Sequence, residues 1–509
     1  MKQRHLLHFC LFMMLMGERF LFSSQSGYYL DETESRLPEN LQFSGQATMG
    51  DVDLDGDLDI VVANSYSLTL SSLNRLLIND GVGYFTDETE SRFPFWEDNS
   101  GDVALLDIDG DGDLDYMAGN TLGNGAPDGK NRLYLNDGTG HFEDVSSERI
   151  PQNNEGTVVI AFADVDGDSD LDVFWASYLG TRLLMNDGQG YFADSSSTHL
   201  RPDTLGGGDA VFGDVDSDGD VDLLIAAFDS FDNRPNYLYI NDGTGHFTEE
   251  GALRLPEIKD GSSSTIACTF GDIDGDGDLD ILFANVLTLV LLLNDGSGYY
   301  AHVSNKRLPE NENVHAWDAE FLDADLDGDL DIFVSASSGS AGGEQNLLYL
   351  NIGSASGSFT DATESWLPQQ TESSNGIALG DVDGDKDIDI FLACDGYLQN
   401  HLFINYLKSV AVEETIPDIP VELSLLQNYP NPFNSRTRIG YEVANQESRI
   451  TLSVYSLLGQ EVVRLVDNTQ EPGAYEVFWD GKNKSGEEVS SGVYIYALYA
   501  PGTGKKKQS

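Results

Sequence analysis

Asp272-Ile-Asp-Gly-Asp-Gly-Asp-Leu-Asp280 places an aspartate at every odd position of a nine-residue string, and the pattern recurs until there are seven copies. In order the copies carry Asp51, Asp53, Asp55, Asp57 and Asp59; Asp107, Asp109, Asp111, Asp113 and Asp115; Asp164, Asp166, Asp168, Asp170 and Asp172; Asp214, Asp216, Asp218, Asp220 and Asp222; Asp272, Asp274, Asp276, Asp278 and Asp280; Asp323, Asp325, Asp327, Asp329 and Asp331; and Asp381, Asp383, Asp385, Asp387 and Asp389. Their first aspartates stand 56, 57, 50, 58, 51 and 58 residues apart. A period of that size marks a solenoid or a propeller.

Other landmarks keep the same period. A short alternating run such as Val158-Val-Ile-Ala-Phe-Ala precedes each string, and another such as Leu58-Asp-Ile-Val-Val-Ala follows it. Then come Asn74 to Asn79 or its like, a turn such as Asn79-Asp-Gly-Val-Gly-Tyr-Phe85, and Asp87-Glu-Thr-Glu-Ser-Arg-Phe-Pro94. Four short β runs per unit, separated by Gly, Asn and Asp turns, describe a propeller blade. The seventh unit stops at Leu402-Phe-Ile-Asn405, and its missing fourth run stands at the other end, where Gly27 to Pro38 matches Gly83 to Pro94. An N-terminal strand that completes the last blade closes the ring and removes an exposed edge. The reading is an all-β chain with a seven-bladed propeller over 27–406.

The strings hold 35 of the 87 acidic residues, against 27 basic ones, for a formal charge of −60 over 509 residues. Such a chain repels nucleic acid and anionic lipid. With 40% hydrophobic residues it is still no disordered tail, so a hard cation is expected to organise the charge. Positions 1, 3, 5 and 9 can offer carboxylates and position 7 its carbonyl, with Gly at position 4 or 6 permitting the turn. Calcium takes six to eight such oxygens, magnesium demands stricter geometry, and up to seven Ca²⁺, one per blade, are expected. An EF-hand is excluded, because Val62, Ala118, Trp175, Ile225, Phe283, Val334 and Leu392 stand where it needs Glu.

At the N-terminus a basic start and an apolar run from Leu6 to Met16 read as a signal peptide within 1–26, too short to span a bilayer. No other segment has the character of a transmembrane span. Cys10 falls in that leader, and Cys268 and Cys394 read as small buried hydrophobes. Residues 407–426 read as a linker and 501–509 as a basic tail. Between them, over 427–500, runs such as Ile450-Thr-Leu-Ser-Val-Tyr455 alternate like sandwich strands.

On the seven strings, together with Phe212-Gly-Asp214 and Phe270-Gly-Asp272, the chain resembles the bacterial FG-GAP-like (VCBS) repeat proteins, relatives of the integrin α-subunit propeller. Val61-Val-Ala-Asn64 stands where that family has its G-A-P element. The C-terminal segment resembles the type A sorting domain of type IX secretion through Asn428-Tyr-Pro-Asn-Pro-Phe-Asn434, Leu458-Gly-Gln-Glu-Val462, Trp479-Asp-Gly481 and Ser491-Gly-Val-Tyr494. The resemblance implies that the small C-terminal β-sandwich is immunoglobulin-like, and it implies a secretion-machinery partner and a place outside the cell or on its outer surface.

No G-x-S-x-G, H-E-x-x-H or P-loop is present, so no catalytic residue is assigned. His141 and His246 share one repeat position and read as structural. Ligand binding is expected on the variable face opposite the strings, with Trp96, His315, Trp317 and Asp318 as its residues. The expected function is adhesion, or binding of a glycan or an extracellular-matrix or cell-surface protein. A polysaccharide lyase or glycosidase, drawing on His315 with Arg234 or Lys130, and a purely structural spacer are the alternatives.

Overall fold

The structure, a computed structural model, describes residues 29–39, 42–64, 73–94, 99–121, 129–151, 156–177, 180–200, 207–228, 235–258, 264–310, 314–337, 344–353, 357–370, 373–394 and 398–407. Toward the C-terminus it describes 424–425, 437–443, 448–456, 460–470, 473–479, 481–484, 489, 494–499 and 506–508. The expected signal peptide, Trp96 and Arg234 lie outside the described residues.

Seven four-stranded antiparallel sheets account for the repeats. In the first, Ser44–Gly50, Asp59–Asn64, Arg75–Asn79 and Phe85–Asp87 run in order from inner to outer edge. The second strand is buried at all six positions, because a sheet covered on both faces needs apolar residues on both. The outer strand is followed by a single helical turn, Thr89–Arg92. Thr89 sits there because its Oγ1 accepts the Leu76 N–H at 2.9 Å, pairing an amide that the short outer strand leaves free. The sequence reading took this Thr-Glu-Ser-Arg segment as the end of a strand unit rather than as a helical turn.

Neighbouring sheets pack face to face around seven hydrophobic cores. One core joins Val61 and Leu76 of the first sheet to Tyr116 and Ala118 of the second. Another joins Ile60 and Val62 of the first to Phe391 and Leu402 of the seventh, so the succession returns on itself. The seventh sheet is built from Ser374–Gly380, Asp389–Cys394, His401–Asn405 and the N-terminal strand Tyr29–Asp31. Tyr29 pairs with Asn405 and Asp31 with Phe403. Cys268 and Cys394 are buried, and neither forms a disulfide among the described residues.

Inner strands begin with a β-bulge in six sheets, for example between Ser100 and Asp102. Three inner strands use an aspartate near their start as a staple, Asp102 and Asp318 at a bulge and Asp209 in the sheet without one. Asp102 accepts the Val103 N–H and, from the third sheet, the Ile160 N–H, both at 2.8 Å. Asp209 likewise holds Cys268 of the fifth sheet, and Asp318 holds Ile377 of the seventh.

The C-terminal unit, Ala411–Ser509, is separate. Ser424–Leu425, Thr437–Val443 and Gly473–Trp479 form one sheet. Glu461–Gln470, Ser448–Ser456, Tyr494–Tyr499 and Lys506–Gln508 form the other, and Ile439, Tyr441, Ile450, Leu452 and Leu498 fill the space between. The linker expected over 407–426 therefore narrows, since Leu407 is buried and Ser424–Leu425 pairs in a sheet. The expected basic tail supplies an edge strand, its free backbone groups satisfied along Tyr494–Tyr499.

Candidate metal centre and ligand face

Each acidic string forms the turn between a first and a second strand, wrapped around the carboxylate at position 1. Asp51 accepts N–H groups from Asp55 at 3.1 Å and Gly56 at 3.0 Å. Asp164 accepts from Gly167, Asp168 and Ser169. This wrapping needs left-handed backbone at both positions 4 and 6 in every copy, whereas the sequence reading required Gly at only one of them. The exceptions to Gly are Leu54 (φ 58°), Ser217 (φ 60°), Leu326 (φ 57°), Ser169 (φ 76°) and Lys386 (φ 79°). No other non-glycine among the described residues has positive φ. Each costs about 1–2 kcal/mol, so the strain collects where something must hold the loop. Leu54→Gly is expected to raise stability by about 1 kcal/mol in denaturant titrations; an unchanged or lower midpoint would contradict this account of the turn.

Position 9 is the structural anchor. Asp59 accepts the Val52 N–H on Oδ2 at 3.1 Å and the Asn79 N–H on Oδ1 at 2.9 Å. Asn79 reaches on to the preceding sheet, donating from Nδ2 to the Val382 carbonyl at 2.8 Å. Asn136, Asn186, Asn241, Asn294, Asn351 and Asn405 repeat that contact around the ring. Desolvation outweighs these backbone donors and pushes the carboxyls of Asp59, Asp115, Asp172, Asp222, Asp280 and Asp331 up to about 7, and Asp389 to about 8. Neutral amides do not offset a buried negative charge; a cation would.

The strings bring such oxygens together. Those of Asp51, Asp53 and Asp59 lie within 4.8 Å of one another, as do those of Asp107, Asp109 and Asp115, and of Asp164, Asp166 and Asp172. In the fourth and fifth strings the close sets are Asp214, Asp216 and Asp218, and Asp272, Asp274 and Asp276. Position 3 adds a sharper sign. Its Oδ1 is buried without a hydrogen-bond partner at Asp53, Asp109, Asp166, Asp216, Asp274 and Asp383. An orphaned carboxylate oxygen inside a cluster of carboxylates fits a hard, oxygen-seeking divalent cation. Position 7 turns its carboxylate elsewhere: a Cβ added to Gly81, Gly188, Gly243 or Gly296 would strike Asp57, Asp170, Asp220 or Asp278. Its carbonyl is then the group it could give a metal.

The sequence reading missed the arginine of the helical turn, although it recurs in five of the seven units, at 36, 92, 149, 254 and 307. Arg92 Nη1 lies 3.0 Å from Asp53 Oδ2 and donates to the Thr139 carbonyl of the next sheet at 2.7 Å. Arg36, Arg149 and Arg254 hold Asp383, Asp109 and Asp216 in the same way, and donate to the carbonyls of Val82, Gln189 and Ser297.

At the far end of the inner strands, the bulge between Ala316 and Asp318 turns Trp317 outward. Trp317 is 38% exposed, and its Nε1–H is pinned to the Ser337 carbonyl at 2.9 Å. His315 beside it pairs through Nδ1 with Glu344 Oε1 at 2.6 Å, a partner the sequence reading did not name. Asp318 does not belong to this face. It is 5% exposed, and both its oxygens accept backbone N–H groups, from Ala319 and Ile377. The bulge puts one residue outside and the next inside. His141 and His246 are exposed turn residues bonded to Thr139 and Thr244.

A lectin from Agrocybe aegerita, solved for its recognition of non-reducing terminal N-acetylglucosamine, is similar at 16% identity and TM-score 0.40, over 72% of this chain and 86% of that one. The Bacillus licheniformis rhamnogalacturonan lyase is similar at 14% identity and TM-score 0.37, over 74% and 75%. The V. cholerae biofilm matrix protein Bap1 is similar at 12% identity and TM-score 0.34, over 93% and 72%. No curated protein matches the sequence. Residues 431–504 match the FlgD Ig-like domain. Residues 51–118, 122–175, 164–225, 214–283, 272–334 and 323–392 match the FG-GAP-like repeat, and on these, well over half its length, the chain belongs to the FG-GAP-like repeat family.

Proposed function

We propose that the protein is a secreted, calcium-stabilised ring that binds a glycan or a matrix partner at the end opposite its acidic strings. The strings bind Ca²⁺ through positions 1, 3, 5 and 9 and act as scaffold rather than as the site of recognition. Trp317 carries the reading. It is a large aromatic held rigid by its own N–H bond and left open at the start of an inner strand, while the string occupies that strand's other end. A fixed, half-exposed indole beside a polar His–Glu pair suits the apolar face and hydroxyl edge of a sugar. No helix among the described residues is long and apolar enough to cross a membrane.

Glycan and matrix arrays probed with the purified chain and with Trp317→Ala test this. Specific binding that falls at least about tenfold in the variant is expected, the loss of one buried aromatic contact. Equal binding by both would remove Trp317 from the site. The hydrogen-bonded His315–Glu344 pair is the one observation favouring a lyase or glycosidase instead. New reducing ends or unsaturated uronates after incubation with a polysaccharide panel would establish that reading over binding alone.

A further inference from the structure

The seven loops are not equivalent, and the difference lies in the helical turn that closes each unit. Four of them put an arginine against the position-3 aspartate: Arg36 on Asp383, Arg92 on Asp53, Arg149 on Asp109 and Arg254 on Asp216. Arg307 does so in the fifth sheet, where its charge favours the ionised Asp274 and its Nη1 lies against Gly357 of the next sheet. Sheets three and six break the rule. His199 stands at the arginine position of the third, its ring centred 4.2 Å from that of His246 and tilted 32° to it, and its Nδ1 turned to the Ser195 carbonyl and Thr198. Trp366 stands there in the sixth.

The sixth exception has a structural reason. Elsewhere the arginine also ties down the turn between the third and fourth strands of the next sheet. After the sixth sheet the next is the seventh, whose fourth strand is Tyr29–Asp31, so no turn joins it to Asn405. An arginine there would meet no such turn.

We propose that this arginine sorts the loops into two classes. Five loops carry an internal cation that already neutralises part of their charge, and the loops of Asp164–Asp172 and Asp323–Asp331 must take calcium to be neutralised. The inference rests on the calcium reading above. A guanidinium on one oxygen of a carboxylate opposes a divalent cation on the other. Even at the dielectric of water two like charges so close repel by more than the ordering of one aspartate side chain returns. Histidine carries charge only when protonated, and tryptophan never does. The loops of sheets three and six should therefore bind calcium roughly tenfold more tightly than the rest.

Calcium titration of the full chain at pH 8, followed by calorimetry, tests this. Two tight sites ahead of a weaker set of five are expected. His199→Arg should reduce the tight class to one, and Arg92→Gln should raise it to three. His199→Arg adds a contact rather than removing one, so it carries the test alone if Arg92→Gln fails to fold. Calcium binding in one class that neither variant alters would overturn the sorting and leave the calcium reading standing. No calcium bound at any loop would overturn both.

Discussion

Chelating divalent cations from the purified chain is expected to lower its melting temperature by about 10–20 °C. A site of Kd about 10⁻⁴ M at about 10⁻³ M calcium contributes about 1.4 kcal/mol, and seven such sites about 10 kcal/mol. A ring of this size responds by one to two degrees per kcal/mol, roughly half the shift of a domain of 150–250 residues. The pH dependence should differ between the two forms. Desolvation raises Asp59 and its equivalents to about 7, and Asp389 to about 8, from an unfolded value of about 4. A carboxyl raised in this way binds its proton more tightly in the fold. Its stabilising contribution is complete below about pH 4 and is lost as pH rises through about 7. The chelated chain should therefore melt higher at pH 6 than at pH 8. With calcium in place of the proton, the seven position-9 groups lose that dependence. The staples Asp102 and Asp318, raised to about 7, and Asp209, raised to about 6, keep the same sign in both forms. Calorimetric scans at the two pH values, with chelator and with calcium, measure all of this. Identical melting in all four conditions would sink the account of the loops.

A chain that begins at residue 38 instead of 27 is expected to melt at least about 10 °C lower or to aggregate. Tyr29 is 1% exposed, its hydroxyl donates to the Ile388 carbonyl at 2.9 Å, and it joins the core of the sixth and seventh sheets with Phe333, Ile390 and Phe403. Losing a core aromatic alone costs about 3–5 kcal/mol. Removing Thr33 as well strips the Leu402 N–H of its acceptor. The third strand of the seventh sheet then becomes a bare edge, open to pairing with other molecules. Melting curves and sedimentation of the two chains decide the matter. Equal behaviour would mean that the ring does not depend on its N-terminal strand.

Much of this architecture is legible in the sequence because each unit repeats its own local rules. The spacing of the strings, the Asn-Asp-Gly turns and the match of Gly27–Pro38 to Gly83–Pro94 lead to four-stranded units and to the strand shared across the chain ends. Contacts between units are harder to read. Asn79 looks like a turn residue, yet its amide reaches Val382, 303 residues away. Arg92 looks like a solvated charge after Glu88, yet it binds Asp53 and the next sheet. Asp318 beside Trp317 looks exposed, because a one-residue bulge leaves no mark in the pattern of apolar residues. The left-handed conformation of Leu54 and Lys386 is invisible for the same reason: aliphatic and basic side chains do not announce a conformation that they adopt at a cost.

Sharing one sheet between distant parts of the chain also sets a timetable. The strand Tyr29–Asp31 is made first, but the Leu402 N–H that meets Thr33 lies 369 residues later. At about 5–20 residues per second, it waits roughly 20–80 s after synthesis before its partner exists. Until then the growing stack of sheets has two raw ends. Ring closure is thus the most non-local event of folding and the one expected to come last. Anything that shields a lone β-strand during that interval, whether a chaperone or prompt passage out of the cell, would raise the yield of closed rings without adding one contact to the finished protein.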